Sequence, residues 1–422
     1  MSDSSRIPSP ARPRPRRARG RCRAAALALL LALPAAAPAA AAPAVPAIPG
    51  PAADAAADPA APTPRPFTPG QLARPYRSDA SGEGVFYFHV VEPYEELRER
   101  HPETLAENLE TTVRINNAAR GDRAAQLRAL ADDHDDPLVT LSDALGAGLG
   151  AHFRAALAAG RLPKTEALLS GTLARAGGVA SSTFAEKYYY GEDRPFVVAP
   201  ERIVRYHRGA PGDDDPYSTT PSYPSGHANK ATWTVTLLSL MLPELGPQLQ
   251  ARGAEAGRNR VLLGVHYPLD VMAGRMMGTA AAADRWADPG FRPLIEAAAG
   301  ELRAELEYRC GAALAECIAA DEPYLDDAAA VAAYTAAMGY GFAPVGAPGR
   351  PMTVPEGYAG LLATRFPGLD EAQRAEVLAA TALDSGLPLD RAEGASHMRV
   401  NLARALAAEV EVAPDGSLRI RG

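Results

Sequence analysis

The chain has 422 residues, 47% of them hydrophobic and 22% charged, with a formal net charge of −7. That length has room for a large core or for two or more modest domains. Mild acidity, with no basic run beyond the N-terminus, argues against nucleic acid as a partner. Of the 43 basic residues only Lys164, Lys187 and Lys230 are lysine, so a lysine at a chemically loaded position stands out.

Residues 1–42 read as an export signal peptide: arginines from Arg12 to Arg23, an apolar run over 24–33, and small residues suited to cleavage near Ala42. The apolar run is half of the ~20 residues a spanning helix needs, and no later stretch is long and apolar enough, so stable membrane insertion is not expected. Arg16-Arg17 could open a twin-arginine signal, but the residues after it depart from that motif, which leaves the export route open. A periplasmic or secreted protein is the expectation. Residues 43–75, rich in Ala and Pro without a period, read as a linker.

The stretch 85–91, Val-Phe-Tyr-Phe-His-Val-Val, reads either as a short strand or as a buried extended lead-in, with His89 a core histidine. Beyond it, 102–118, 123–131, 137–159 and 164–189 combine Ala, Leu, Glu and Arg with apolar spacing of i, i+3, i+4, and predict helices. Asp132-Asp133-His134-Asp135-Asp136 is the one metal-like cluster. A solvated acidic loop before Pro137 explains it better, so it is left out of the site and no metal is assigned.

The chemistry concentrates between Lys187 and Asp270. Pro224-Ser225-Gly226-His227 is a turn ahead of a helix predicted over 227–242, which places Ser225 and Gly226 at a helix N-terminus whose free N–H groups attract anions. Upstream stand Lys187, then Arg194-Pro195 after six residues. Downstream stand Arg260, His266 and Asp270, at intervals of six and four. Arg194 precedes a proline and is therefore pushed into extended backbone. Pro268 suits the first turn of a helix over 269–286, which puts Asp270 one turn beyond His266. The polar, turn-rich residues 204–223 predict a surface loop at the rim of the site.

Lys-x6-Arg-Pro, Pro-Ser-Gly-His and Arg-x5-His-x3-Asp, in this order, resemble the three-part signature of the phosphatidic acid phosphatase type 2 superfamily, which includes bacterial class A non-specific acid phosphatases and vanadium haloperoxidases. One position departs: Asn259 stands before Arg260, where the family has serine. The resemblance implies an all-α, multi-helix bundle of the acid phosphatase/vanadium haloperoxidase type. It further implies His266 as nucleophile, Asp270 as its partner and His227 as general acid and base. Lys187, Arg194, Ser225, Gly226 and Arg260 then bind phosphate. The expected activity is metal-independent hydrolysis of small phosphomonoesters, with no cofactor. The alternatives left open are a haloperoxidase holding vanadate in the same site, a phosphotransferase, and a non-catalytic phosphate-binding protein.

The catalytic domain is expected over 76–295 and a mostly helical C-terminal extension over 296–422, serving packing or a lid. In the extension, helices are read over 356–366, 370–385 and 398–408, with a hairpin about Pro414-Asp415-Gly416. Cys310 and Cys317, the cysteines left after signal removal, suggest one disulfide in an exported chain; two free buried thiols are the alternative. On an unbroken helix their Cα atoms would lie ~10 Å apart, too far to bridge, so the chain must bend, with Gly311 the candidate. Oligomeric state is left open.

Overall fold

The computed structural model describes residues 44–49, 60–80, 87–171, 174–178, 182–209 and 219–421. The expected signal peptide, much of the linker and residues 210–218 of the rim loop lie outside the described residues. Thr68 caps α1 (Pro69–Ala73) through a capping box with Gln71, and Phe67 just before it is buried in the core. In the described part of the strand-like run, 87–91, no strand forms: Tyr87 is a turn and α2 (Phe88–Val91) follows. Val90 and Val91 are fully buried, and helical packing overrides their β propensity.

Next come α3 (Pro93–Arg100), α4 (Pro102–Ala118) and α5 (Arg123–His134); the Asp122 side chain caps α5 by accepting from the Ala125 N–H. The helix predicted over 137–159 is divided into α6 (Pro137–Thr140), a 3₁₀ turn (Ser142–Leu145) and α7 (Ala147–Ala158). The one predicted over 164–189 is likewise divided, into α8 (Pro163–Leu169) and α9 (Phe184–Tyr190). Arg194 is extended as predicted, with ψ 152°, but Pro195 then starts a helical turn, α10 (Pro195–Val198), instead of an extended stretch.

Three helices form the centre: α11 (Gly226–Met241), α12 (Gly246–Leu262) and α13 (Pro268–Ala287). From Ala228 to Met241 only Lys230 of α11 escapes full burial, the pattern of a helix enclosed on every side. It packs on both α12 and α13. At the contact with α13, a Cβ on Gly274 would collide with the Ser225 carbonyl oxygen. Glycine there lets α13 pass close under the first turn of α11.

A buried charge network braces α12 against α5. Arg252, with no exposed surface, donates to Asp132 and to Asp143 at 3.0 Å, while Arg128 donates to Asp143 at 2.7 Å and to Glu255. The run 132–136 is therefore only in part a solvated loop: His134 and Asp135 are exposed, but Asp132 and Asp133 belong to the last turns of α5 and face inward, toward arginines of α12.

After α13 come α14 (Arg292–Cys310) and α15 (Leu314–Ala320). A disulfide joins Cys310 to Cys317, with Cα atoms 6.2 Å apart. The helix ends at Cys310, and Gly311 takes a left-handed φ of 79°, which supplies the required bend. There follow α16 (Asp327–Gly339), a 3₁₀ turn (Tyr358–Leu362), α17 (Glu371–Ala380), α18 (Leu402–Ala407) and the antiparallel hairpin β1 (Glu409–Val412) with β2 (Leu418–Arg421). Both α16 and α18 pack on α12, and the 3₁₀ turn packs on α13. The C-terminal part thus shares the core of the helices that bear the motif. Apart from the hairpin, the regular structure among the described residues is helical, and none of those helices is long and apolar enough to cross a membrane.

Candidate active site

Ser225 is the N-cap of α11, where its hydroxyl accepts from the Ala228 N–H at 3.3 Å. Its own N–H donates to the Asp270 carbonyl at 2.9 Å, which ties the turn to the start of α13. The peptide before Pro224 is cis, and Tyr223 is held from behind by stacking on Tyr94 at 4.0 Å and by donating to the Val91 carbonyl at 2.9 Å. The anion-attracting helix start therefore sits on a rigid, buried base.

Three cations converge on it from different elements. Lys187, on α9, donates through Nζ to the carbonyls of Pro221 and Ser222, each at 2.8 Å. Arg194, at the start of α10, donates to the Thr220 and Val265 carbonyls at 2.7 Å and places Nη1 3.2 Å from His266 Nε2. Arg260 comes from the last turn of α12 and is buried, with an Nε that has no protein partner. Their mutual repulsion registers in the titration of Lys187 and Arg194. Burial, then the charges of Arg194 and Arg260, pull Lys187 down to about 7. Burial and Arg260 lower Arg194 to about 10. A phosphoryl dianion placed among them relieves that repulsion.

His266 is 1% exposed, and its Nδ1 lies 2.9 Å from Asp270 Oδ2. Asp270 Oδ2 also accepts from the Tyr267 N–H at 3.0 Å. Burial, followed by the charges of Arg194, Lys187 and Arg260, holds the imidazole well below its ordinary pKa, so the ring is neutral. Burial lifts Asp270 to about 7, against the pull of the Tyr267 N–H, Lys187 and Arg194. Arg194 Nη1 is a donor, so the Nε2 it faces is the acceptor, and the ring proton belongs on Nδ1, toward Asp270. The lone pair of Nε2 faces the cations.

His227 is open to solvent, with 45% of its side chain exposed. Its Nε2 is 3.4 Å from Asp133 Oδ1, and the same oxygen lies 2.6 Å from Arg260 Nη1. The charge of Arg260, aided by lost hydration, pushes His227 down, while Asp133 pulls it up. Burial would raise the Asp133 carboxyl, but Arg260 and His227 outweigh it and hold it below the ordinary range. Asp133 is the residue that sequence reasoning missed. The available signal was the pair Arg252 and Arg260 on one helix, which needs inward-facing acids, and the run 132–136 supplies them. Asn259 donates to Asp132 at 2.7 Å and so helps to fix the end of α5 that presents Asp133.

The eight residues singled out in the sequence come from α9, the starts of α10 and α11, the last turn of α12, the α12–α13 connection that carries His266 and the first turn of α13, and Asp133 of α5 joins them. A buried imidazole with its lone pair among cations, beside a second, solvent-accessible imidazole, can carry out transfer of an anionic group.

Residues 166–290 match the family model described as the PAP2 superfamily. A non-specific acid phosphatase of Salmonella typhi is 34% identical over 140 residues, and one of Providencia stuartii is 31% identical over 139; each alignment covers 33% of this chain and 53% of the relative. An acid phosphatase of Zymomonas mobilis is 32% identical over 117 residues, covering 28% of this chain and 42% of that protein. The chain therefore spans about half the length of the curated relatives it matches. The segment that matches the PAP2 superfamily model, 166–290, includes the whole Lys187–Asp270 constellation, and over about a third of its length the chain is similar to bacterial non-specific acid phosphatases.

Proposed function

We propose that this protein is an exported, metal-independent acid phosphatase that hydrolyses small phosphomonoesters through a phosphohistidine on His266. The observation that carries the reading is the orientation of His266: Nδ1 on Asp270 at 2.9 Å and Nε2 beside Arg194 at 3.2 Å. Export rests on the signal-like residues 1–42, and it accords with the Cys310–Cys317 disulfide.

In the proposed reaction His266 Nε2 attacks phosphorus in line and the ester P–O bond breaks. His227 gives its proton to the departing alkoxide. Asp270 stabilises the ring charge that develops on His266. Water then attacks the phosphoryl group, His227 takes its proton, the P–N bond breaks, and inorganic phosphate leaves. Lys187, Arg194, Arg260, the Ser225 hydroxyl and the N–H of Gly226 hold the equatorial oxygens. These cations supply the charge that a divalent ion gives in other phosphatases.

The test is hydrolysis of p-nitrophenyl phosphate by the mature protein in EDTA between pH 4 and 8, with and without vanadate. The expected outcome is turnover that vanadate inhibits and that His266→Ala abolishes, a loss of ~10⁴-fold or more. Near wild-type turnover in His266→Ala contradicts the mechanism. Halide oxidation by peroxide on adding vanadate, without phosphatase turnover, moves the assignment to a haloperoxidase.

A further inference from the structure

Arg275 lies on α13, five residues beyond Asp270, and is 5% exposed. Its Nη2 donates to the Met398 carbonyl at 3.0 Å, but Nε and Nη1 are buried without a protein hydrogen-bond partner. No carboxylate pairs with it among the described residues, unlike Arg128, Arg252 and Arg285, which are equally buried and all have acids. Three tyrosines feel its charge, the buried Tyr334 and Tyr358 and the partly buried Tyr340. Burial raises the pKa of each, so all three stay neutral phenols and none supplies a counter-charge. The hydroxyls of Tyr334 and Tyr340 donate to nothing among the described residues, which leaves their protons available.

Arg275 and Tyr334 line a small cavity between α11, α12, α13 and α16, whose wall also includes Ala228, Thr232, Gln250, Gly257 and Val271. The space open to the centre of a water-sized sphere is about 10 Å³, enough for one small particle and too little for phosphate. A water molecule there satisfies hydrogen bonds but leaves the guanidinium charge uncompensated in an apolar interior, which is costly. A monatomic anion satisfies both.

We propose that this cavity is a second anion site, separate from the phosphate cradle, which takes one halide ion, chloride under ordinary conditions. The ion bridges the guanidinium of α13 and the Tyr334 hydroxyl of α16, and so fastens the C-terminal part to the catalytic helices. Its walls stand directly behind the chemistry, since Ala228 follows His227, Val271 follows Asp270, and Gly257 lies one turn before Arg260.

The test is thermal unfolding of the full protein in phosphate-free buffer, with sodium chloride or bromide replacing sodium gluconate at constant ionic strength. Gluconate is too large to enter. The expected result is a saturable rise in Tm of roughly 3–6 °C with either halide, absent in Arg275→Met. Should Arg275→Met fail to fold, Tyr334→Phe serves instead, and several-fold more chloride is then needed for the half-maximal shift. Crystals soaked in bromide should show an anomalous peak beside Arg275. Equal Tm in halide and gluconate, a halide response retained in Arg275→Met, or a bromide peak only among Lys187, Arg194 and Arg260 overturns the proposal.

Discussion

At the scale of single residues, Asp133 is the part of the site with the most to test. Its carboxylate sits between Arg260 and His227, so it neutralises one of the cations proposed to bind phosphate while supporting the protonated form of the proposed acid. Asp133→Asn keeps the shape and removes the charge. Two effects are expected together. Freed Arg260 binds phosphate more tightly, lowering KM, and His227 holds its proton less well, lowering kcat. The alkaline limb of kcat should move down by about one pH unit, the scale of an opposite charge within hydrogen-bonding range. Alkyl phosphates, whose leaving groups need the proton most, should suffer more than p-nitrophenyl phosphate. An unchanged pH profile with both substrates would remove Asp133 from the mechanism.

Residues at this scale differ in how far the sequence discloses them. Each motif block is local: Lys187 to Arg194, the turn at Ser225, and Arg260 to Asp270 each occupy one or two adjoining elements, and fixed spacing carries the geometry. Asp133 reaches His227 across 94 positions and Arg260 across 127. Nothing local in an acidic run distinguishes an inward carboxylate from a solvated one. The same limit explains 85–91, where β-branched and aromatic residues argue for a strand but burial against helices decides for one helical turn after Tyr87.

At the scale of elements, the site depends on how closely α13 approaches the start of α11. The Ser225 N–H bond to the Asp270 carbonyl requires that approach, and Gly274 permits it. In Gly274→Ala the added methyl must displace the Ser225 carbonyl, moving Ser225, Gly226 and His227 away from His266. Activity should fall by ~10²-fold, since displacements of about 1 Å in a preorganised site cost that much, and stability by about 1–3 kcal/mol from overpacking. Gly300→Ala on α14 is the control, because nothing lies within 4 Å of its added Cβ. It should be neutral or stabilising by up to about 1 kcal/mol. Equal activity in both variants, measured as kcat on one substrate, would show that the helix contact does not set the geometry.

For the molecule as a whole, pH acts on stability through groups buried away from the reaction. Glu186, beside Lys187 on α9, has no exposed surface, and burial lifts its carboxyl from 4.5 to about 7. A raised acid favours folding below the unfolded pKa; the benefit is lost as pH climbs from about 4.5 to 7, and above that the ionised group is a constant cost. Glu186→Gln removes that cost. The variant should gain about 2–3 kcal/mol over wild type at pH 8 and almost nothing at pH 4, measured by denaturant unfolding. His397, which burial lowers to about 3, acts in the opposite direction below pH 6.5, so only the difference between variant and wild type isolates Glu186. A pH-independent difference would contradict a buried neutral carboxyl.

Helical segments were legible from apolar spacing, the all-α class through the motif resemblance, and the bend at Gly311 through the two cysteines, because a disulfide across seven residues cannot span a straight helix. The shared core was not. That α16 and α18 pack on α12 follows from complementary surfaces more than 40 positions apart, which no periodicity reports.

The central claim is that the phosphoryl group passes through His266, and trapping it is the most direct measurement. Enzyme mixed with ³²P-labelled substrate at pH 5 is quenched in alkali, where phosphohistidine survives, and then digested and mapped. The account predicts label on the peptide carrying His266, and with p-nitrophenyl phosphate, whose leaving group departs without a proton, in greater amount in His227→Ala because the water step lacks its base. Label on any other residue, or rapid turnover with no labelled enzyme in either form, would contradict it.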